Sequence, residues 1–129
     1  MKKLLFLMML TFAMSSCEAQ QKKQTVQLVP PAEFAQQLHD NTGQVIDVRT
    51  PKEFSAGHIE GAVNMHVYDK DFEQRVDKLK KSEPVYVYCK AGGRSAEAVE
   101  TLKAEGFTEI IELEGGMDAW NEAGKPVQK

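Results

Sequence analysis

Val85-Tyr86-Val87-Tyr88-Cys89-Lys90-Ala91-Gly92-Gly93-Arg94-Ser95 is the stretch on which the reading of this chain turns. Its first four residues are β-branched or aromatic without a break, the pattern of a strand buried on both faces. Two glycines then interrupt the chain. From Ser95 to Glu105 the spacing predicts a helix with Ala96, Val99 and Leu102 on one face, and Gly106 closes it. A strand that passes through a short glycine loop into a helix is the repeating unit of parallel α/β sheets.

The flanking sequence repeats that unit. Val26–Val29 reads as a strand, and Pro30-Pro31 ends it before a helix carrying Phe34 and Leu38. Val45–Val48 is a second short β-branched run. Thr50-Pro51-Lys52-Glu53 then supplies an N-cap, a proline at the first helical position and a glutamate at the third, a capping box, with Gly57 placed to end the helix. Ala62–Met65 reads as a brief strand, and Phe72, Val76 and Leu79 recur at helical spacing. Ile110–Leu113 is the last strand, Gly115-Gly116 a turn, and Met117–Ala123 a terminal helical segment. The fold class expected is α/β, a single domain with a parallel sheet covered by helices on both faces.

Composition narrows the function. A chain of 129 residues holds one ordinary domain. With 16 basic and 19 acidic side chains, a net charge of −3, it offers no basic surface for nucleic acid. Two cysteines exclude a disulfide scaffold and a polycysteine zinc site, and His39, His58 and His66 lack ligand spacing, so no metal is expected.

The amino terminus reads as an address. Lys2 and Lys3 precede Leu4–Met14, apolar except for Thr11, and Ser15-Ser16-Cys17 follows. That order is a secretory signal, too short for the ~20 residues of a membrane span. Ser15-Ser16-Cys17 resembles the bacterial lipobox, which implies cleavage after residue 16 and lipidation of Cys17. An ordinary cleaved signal with an incidental cysteine is the alternative. Residues 17–25 have no apolar face and read as a flexible tether, leaving 26–129 as the folded domain. The location expected is the bacterial cell envelope, facing the periplasm, with membrane contact through the anchor alone.

In open parallel sheets, sites form beyond the carboxyl ends of the strands, which directs attention to Cys89. Gly92 and Gly93 allow several backbone N–H groups to turn toward one point. The helix that follows adds its own unpaired N–H groups and its positive dipole end. Lys90 and Arg94 add formal charge. A cysteine in such a setting is held as thiolate, a nucleophilic sulfur at the base of an anion cradle. By itself a cysteine is as readily a small buried hydrophobe, but the glycine pair, the arginine and the strand-to-helix position favour chemistry. With Cys17 lipidated, Cys89 is the only free thiol.

Cys89 through Ser95 resembles the active-site loop of the rhodanese family of sulfurtransferases. Asp47-Val48-Arg49 with Glu53-Phe54 and Gly57-His58-Ile59-Glu60-Gly61-Ala62 resembles that family's amino-terminal signature. Leu113-Glu114-Gly115-Gly116-Met117-Asp118-Ala119-Trp120 with Gly124-Lys125-Pro126-Val127 resembles its carboxy-terminal one. The likeness implies a five-stranded, mainly parallel sheet in the single-domain form. It also implies a two-step transfer: Cys89 takes sulfur from a small anionic donor such as thiosulfate, then yields it to a thiol or cyanide. No cofactor is implied. Lys90, Ala91, Gly92, Gly93, Arg94 and Ser95 would bind the donor, the two cations favouring a dianion. Asp47, Arg49 and Glu53 are expected to form ion pairs beside the loop, His58 to be a framework residue and Trp120 to pack against the sheet. Two alternatives remain: a non-enzymatic persulfide carrier or tethered partner-binding module, and a phosphatase. The phosphatase chemistry of a related fold sets its cysteine and arginine one residue further apart than Cys89 and Arg94.

Overall fold

The middle strand explains the architecture, because none of its side chains meets water. The computed structural model describes residues 23–129. Strand β4 (Val85–Tyr88) is buried along its whole length, as a central strand of a sheet covered on both faces must be. It lies between β2 (Gln44–Asp47) and β5 (Glu109–Leu113), with β1 (Thr25–Val29) outside β5 and β3 (Val63–Asn64) outside β2. Every neighbouring pair is parallel, so the sheet expected to be mainly parallel is wholly so.

Five helices fill the connections: α1 (Pro31–Asp40), α2 (Pro51–Ala56), α3 (Phe72–Asp77), α4 (Gly93–Ala104) and α5 (Gly116–Glu122). Alternation along the strands sorts the core into two layers. Val85, Val87 and Cys89 face α3 and α4, where they meet Val76, Ala98, Val99 and Leu102. Tyr86 and Tyr88 face α1 and α5, where they meet Phe34, Met117 and Trp120. Cys89 therefore belongs to the α4 layer and emerges directly below the start of that helix.

The start of α4, its buried face and the start of β1 differ from the sequence reading. Helix α4 starts at Gly93, two residues before Ser95, because Gly92 takes the N-cap position at φ +116°. Its buried stripe is Ser95, Ala98, Val99 and Leu102, the i, i+3, i+4, i+7 set; Ala96 lies outside it and is exposed. Thr25, read as the end of the tether, opens β1, and Gln24 is already fixed by side-chain hydrogen bonds to the Lys103 and Phe107 carbonyls. The signal at 1–16, Cys17 and the tether as far as residue 22 lie outside the described residues.

Candidate active site

Cys89 leaves β4 into a loop whose peptide planes are set from both sides. On the outside, the first amides of α5 hold its carbonyls: Met117 N–H donates to Cys89 at 2.9 Å and Asp118 N–H to Lys90 at 3.0 Å. Gly116, at φ +56°, makes that approach possible, since a Cβ there would collide with the Cys89 carbonyl. With the carbonyls turned outward, the amides turn inward. Gly92 N–H points at the Cys89 sulfur from 3.0 Å, and the N–H groups of Ala91 and Ser95 address the same atom.

Cys89 is 1% exposed. Burial, the strongest single influence, pushes its thiol up. The hydroxyl and N–H of Ser95 and the N–H groups of Gly92 and Ala91 together outweigh it and bring the thiol below its ordinary value. Ser95 Oγ lies 3.4 Å from the sulfur and donates to the Gly92 carbonyl at 3.1 Å. In the thiol form Cys89 donates to that oxygen. Once the thiol ionises, the hydroxyl rotates to donate to sulfur instead.

The cations of the loop are less free than their sequence suggests. Arg94 makes a two-pronged contact with Glu53, Nη1 to Oε1 at 2.7 Å and Nη2 to Oε2 at 2.9 Å. Arg94 in turn holds the Glu53 carboxyl down at about 2. Glu53 also closes the capping box with Thr50, so α2 presents this carboxylate in one orientation. Lys90 Nζ meets both Asp118 oxygens, at 2.9 and 2.8 Å. Each loop cation is thus matched by a carboxylate, and what lies at hydrogen-bond distance from the sulfur is the Gly92 N–H and the Ser95 hydroxyl.

Residues 30–123 match the family described as Rhodanese-like domain. The chain belongs to that family. Protein YqhL of Bacillus subtilis is 44% identical over 77 residues, covering 60% of this chain and 60% of that protein's length. Chloroplastic thiosulfate sulfurtransferase 16 of Arabidopsis thaliana is 37% identical over 93 residues, covering 64% of this chain and 78% of its own. Among solved structures, a rhodanese-related protein from Thermoplasma volcanium superposes with a TM-score of 0.70 at 30% identity. That match covers 79% of this chain and 97% of the other.

The rhodanese signatures fall around the cradle unequally. Cys89, Lys90, Ala91, Gly92, Gly93, Arg94, Ser95 and Glu53 meet in one place. Asp47 and Arg49 form a buried pair behind it, Nη2 to Oδ2 at 2.6 Å, and Arg49 Nη2 also reaches the Gly57 carbonyl at 2.7 Å. His58 stacks on Phe54 with centroids 3.8 Å apart and donates from Nδ1 to the Phe54 carbonyl. Its backbone pairs with Gln128, which ties the carboxyl terminus to α2. Trp120 lies in the α1 layer, away from the sulfur, edge-on to Phe34 and bonded to the Pro126 carbonyl. Sequence reasoning missed Asp118 and Tyr68. Asp118 is 28 residues from its partner, and nothing local announces the pair. Tyr68 is 63% exposed and stands against Glu97, whose carboxylate raises its phenol. Its one signal in the sequence is an aromatic residue in the loop that follows Ala62–Met65.

Proposed function

We propose that this protein is a sulfurtransferase that carries sulfur on Cys89 as a persulfide. The observation that carries the reading is a buried cysteine sulfur that accepts from the Gly92 N–H at 3.0 Å and lies 3.4 Å from the Ser95 hydroxyl, with the N–H groups of Ala91 and Ser95 near enough to favour its ionised form. Such donors stabilise a thiolate before the reaction and the terminal persulfide sulfur after it, without rearranging at the moment of transfer. The Cys89 thiolate attacks the outer sulfur of a donor such as thiosulfate; the S–S bond of the donor breaks and sulfite leaves with the electron pair. A thiol or cyanide then attacks the outer sulfur of the persulfide, and Cys89 is released as thiolate.

Lys90, Ala91, Gly92, Gly93, Arg94 and Ser95 form the donor site in this reading. Lys90 and Arg94 act chiefly by bracing the loop through Asp118 and Glu53. Asp47, Arg49, His58 and Trp120 support it. The name of the Arabidopsis relative, a thiosulfate sulfurtransferase, supports thiosulfate as donor. We further propose that residues 1–16 are a leader, that Cys17 carries lipid, and that the residues between Cys17 and Gln24 tether the domain to a periplasm-facing membrane. The basic, apolar and small-residue order before Cys17 supports this placement.

Mass spectrometry of the protein after exposure to thiosulfate tests the central step. One added sulfur on Cys89, removed by cyanide with release of thiocyanate, is the expected result. No adduct, or one that persists in Cys89→Ser, overturns it. An adduct that forms but turns over only with a partner protein identifies a carrier.

A further inference from the structure

We propose that the free edge of β1 is a pairing surface for a second copy of this chain, which joins the two sheets antiparallel about Gln27. The two edges of the sheet are built differently. At β3 the strand is two residues long, and the Asn64 carbonyl accepts from Arg75 Nη2 at 2.6 Å. Short length and a cation are devices that keep an edge from pairing. Strand β1 has neither. It is five residues long, Thr25-Val26-Gln27-Leu28-Val29, carries no charge, and among the described residues no strand pairs with its outer side.

The register fixes which groups are free. Thr25 N–H donates to the Thr108 carbonyl and Glu114 N–H to the Val29 carbonyl, so Thr25, Gln27 and Val29 turn their backbone groups toward β5. Alternation then turns the N–H and C=O of Val26 and Leu28 outward. Their side chains share the α4 face of the sheet, since Val26 is in register with Ile110. Helix α4 leaves them uncovered: Val26 is 46% exposed and Leu28 61%. The next outward position is Pro30, which has no N–H to offer. The free edge is therefore two residues placed symmetrically about Gln27.

That symmetry selects the occupant. When two such edges meet antiparallel with Gln27 on the two-fold axis, Val26 faces the partner's Leu28, Leu28 faces the partner's Val26, and each pair exchanges both N–H···O bonds. The apolar side chains of both copies then lie together on one face. Charge agrees with this orientation. Lys23, just before the strand, and Glu33, in the first turn of α1 after it, are both exposed. Antiparallel pairing brings Lys23 of each copy to the Glu33 end of the other, whereas parallel pairing sets like charges side by side. The area covered is far below the ~800 Å² a side of a stable dimer, so the pair is weak and depends on concentration. Because the strands enter from opposite ends, two copies tethered to one membrane pair only when the joined sheet lies along its surface, with both cradles at its margins and open to solution.

Disulfide trapping reads this register. In a full chain carrying Cys17→Ser and Cys89→Ser, Gln27→Cys should cross-link to its counterpart under mild oxidation. Facing residues of a non-hydrogen-bonded antiparallel pair have Cα atoms about 4.5 Å apart, within disulfide reach. Val26 is more exposed than Gln27, yet Val26→Cys should cross-link about tenfold more slowly, because its counterpart lies two positions out of register, roughly 8 Å away. Adding Leu28→Lys to Gln27→Cys should abolish the cross-link. Lys23→Glu should slow it several-fold, and Glu33→Lys in the same chain should restore it. Melting temperatures check that each variant is folded. In the unsubstituted 15N-labelled chain, exchange of the Val26 and Leu28 amides should slow as protein concentration rises, with Gln27 slow throughout. No cross-link in Gln27→Cys, an equal rate in Val26→Cys, or no protection of the two amides at any concentration would overturn the pairing. Protection independent of concentration would overturn it too, since the chain's own residues before Lys23 would then cover the edge.

Discussion

Cys89 is held between two opposed forces, and their balance is measurable. Burial alone would raise its pKa; three N–H groups and one hydroxyl lower it below the usual thiol range. The rate of alkylation by iodoacetamide should therefore rise with pH through a midpoint below that of a free cysteine. The Ser95 hydroxyl hydrogen-bonds the ionised sulfur, so Ser95→Ala should move that midpoint up. A midpoint unmoved by Ser95→Ala would remove the hydroxyl from the thiolate's support. The sign for stability follows the same logic. The folded pKa is depressed, so ionised Cys89 stabilises the fold fully above the unfolded value and loses that contribution as pH falls through the folded one. Glu53 behaves alike at lower pH: its contribution is complete above about 4.5 and fades toward its folded value of about 2. The two loop cations should differ in consequence. The Lys90–Asp118 pair is more than half exposed, and such pairs are worth at most about 1 kcal/mol, so Lys90→Ala should cost little sulfur transfer from thiosulfate. Arg94→Ala also frees the Glu53 carboxylate near the cradle, which should raise the Cys89 midpoint as well as lower the rate. Equal losses in the two variants, with no shift in midpoint, would return both residues to direct contact with the donor.

At the scale of elements, the cradle is a joint between β4, α4 and α5. Helix α4 supplies amides from within, and α5 fixes the loop carbonyls from without, across the Gly116 backbone. Gly116→Ala should push the loop away from α5, splay its amides, raise the alkylation midpoint and cut sulfur transfer. The cost of a side chain at positive φ must be separated from that effect. Gly124, at φ +68°, has open space where a Cβ would stand, so Gly124→Ala carries backbone strain alone. The Gly116 variant should lose activity and thiolate character at a given loss of melting temperature, and the Gly124 variant melting temperature only. Matching titration curves for the two would make Gly116 a folding residue without influence on the thiolate. This joint marks where sequence reading stopped. The capping box Thr50–Glu53, the strand at Val85–Tyr88 and the Cys89–Ser95 loop were legible because each is written in adjacent residues. The partners of that loop were not. Glu53 was expected to pair, but its partner Arg94 lies 41 residues on, and Lys90 finds Asp118 28 residues on; tertiary packing alone brings them together. The early start of α4 was hidden for a different reason. Gly92 and Gly93 read as loop by composition, whereas Gly92 uses its left-handed freedom to cap the helix and Gly93 becomes its first residue.

For the whole molecule, a parallel sheet separates entry from chemistry. Because β1 and β4 run the same way through β5, the chain enters the domain at the end of the sheet opposite Cys89. Gln24 is bonded to carbonyls at Lys103 and Phe107, at and just beyond the carboxyl end of α4, while the amino end of that helix forms the cradle. Twelve helical residues at 1.5 Å each set the two about 18 Å apart. A lipid on Cys17, as proposed above, would then hold the domain by its blind end and turn the cradle away from the bilayer. Two measurements check this arrangement in full-length protein on membranes. Cys17→Ser should move the processed domain to the soluble fraction; a processed Cys17→Ser chain that stays with membranes removes the anchor. Where the anchor holds, a bulky, membrane-impermeant thiol reagent should modify Cys89 at nearly the same rate before and after proteolytic release through the tether. The bilayer should slow the reagent only if it covers the cradle, so a several-fold gain in labelling on release would show the domain lying with its site against the lipid. Comparable rates would leave the cradle open to small molecules of the aqueous compartment, which is the access that transfer from a soluble donor to a small acceptor requires.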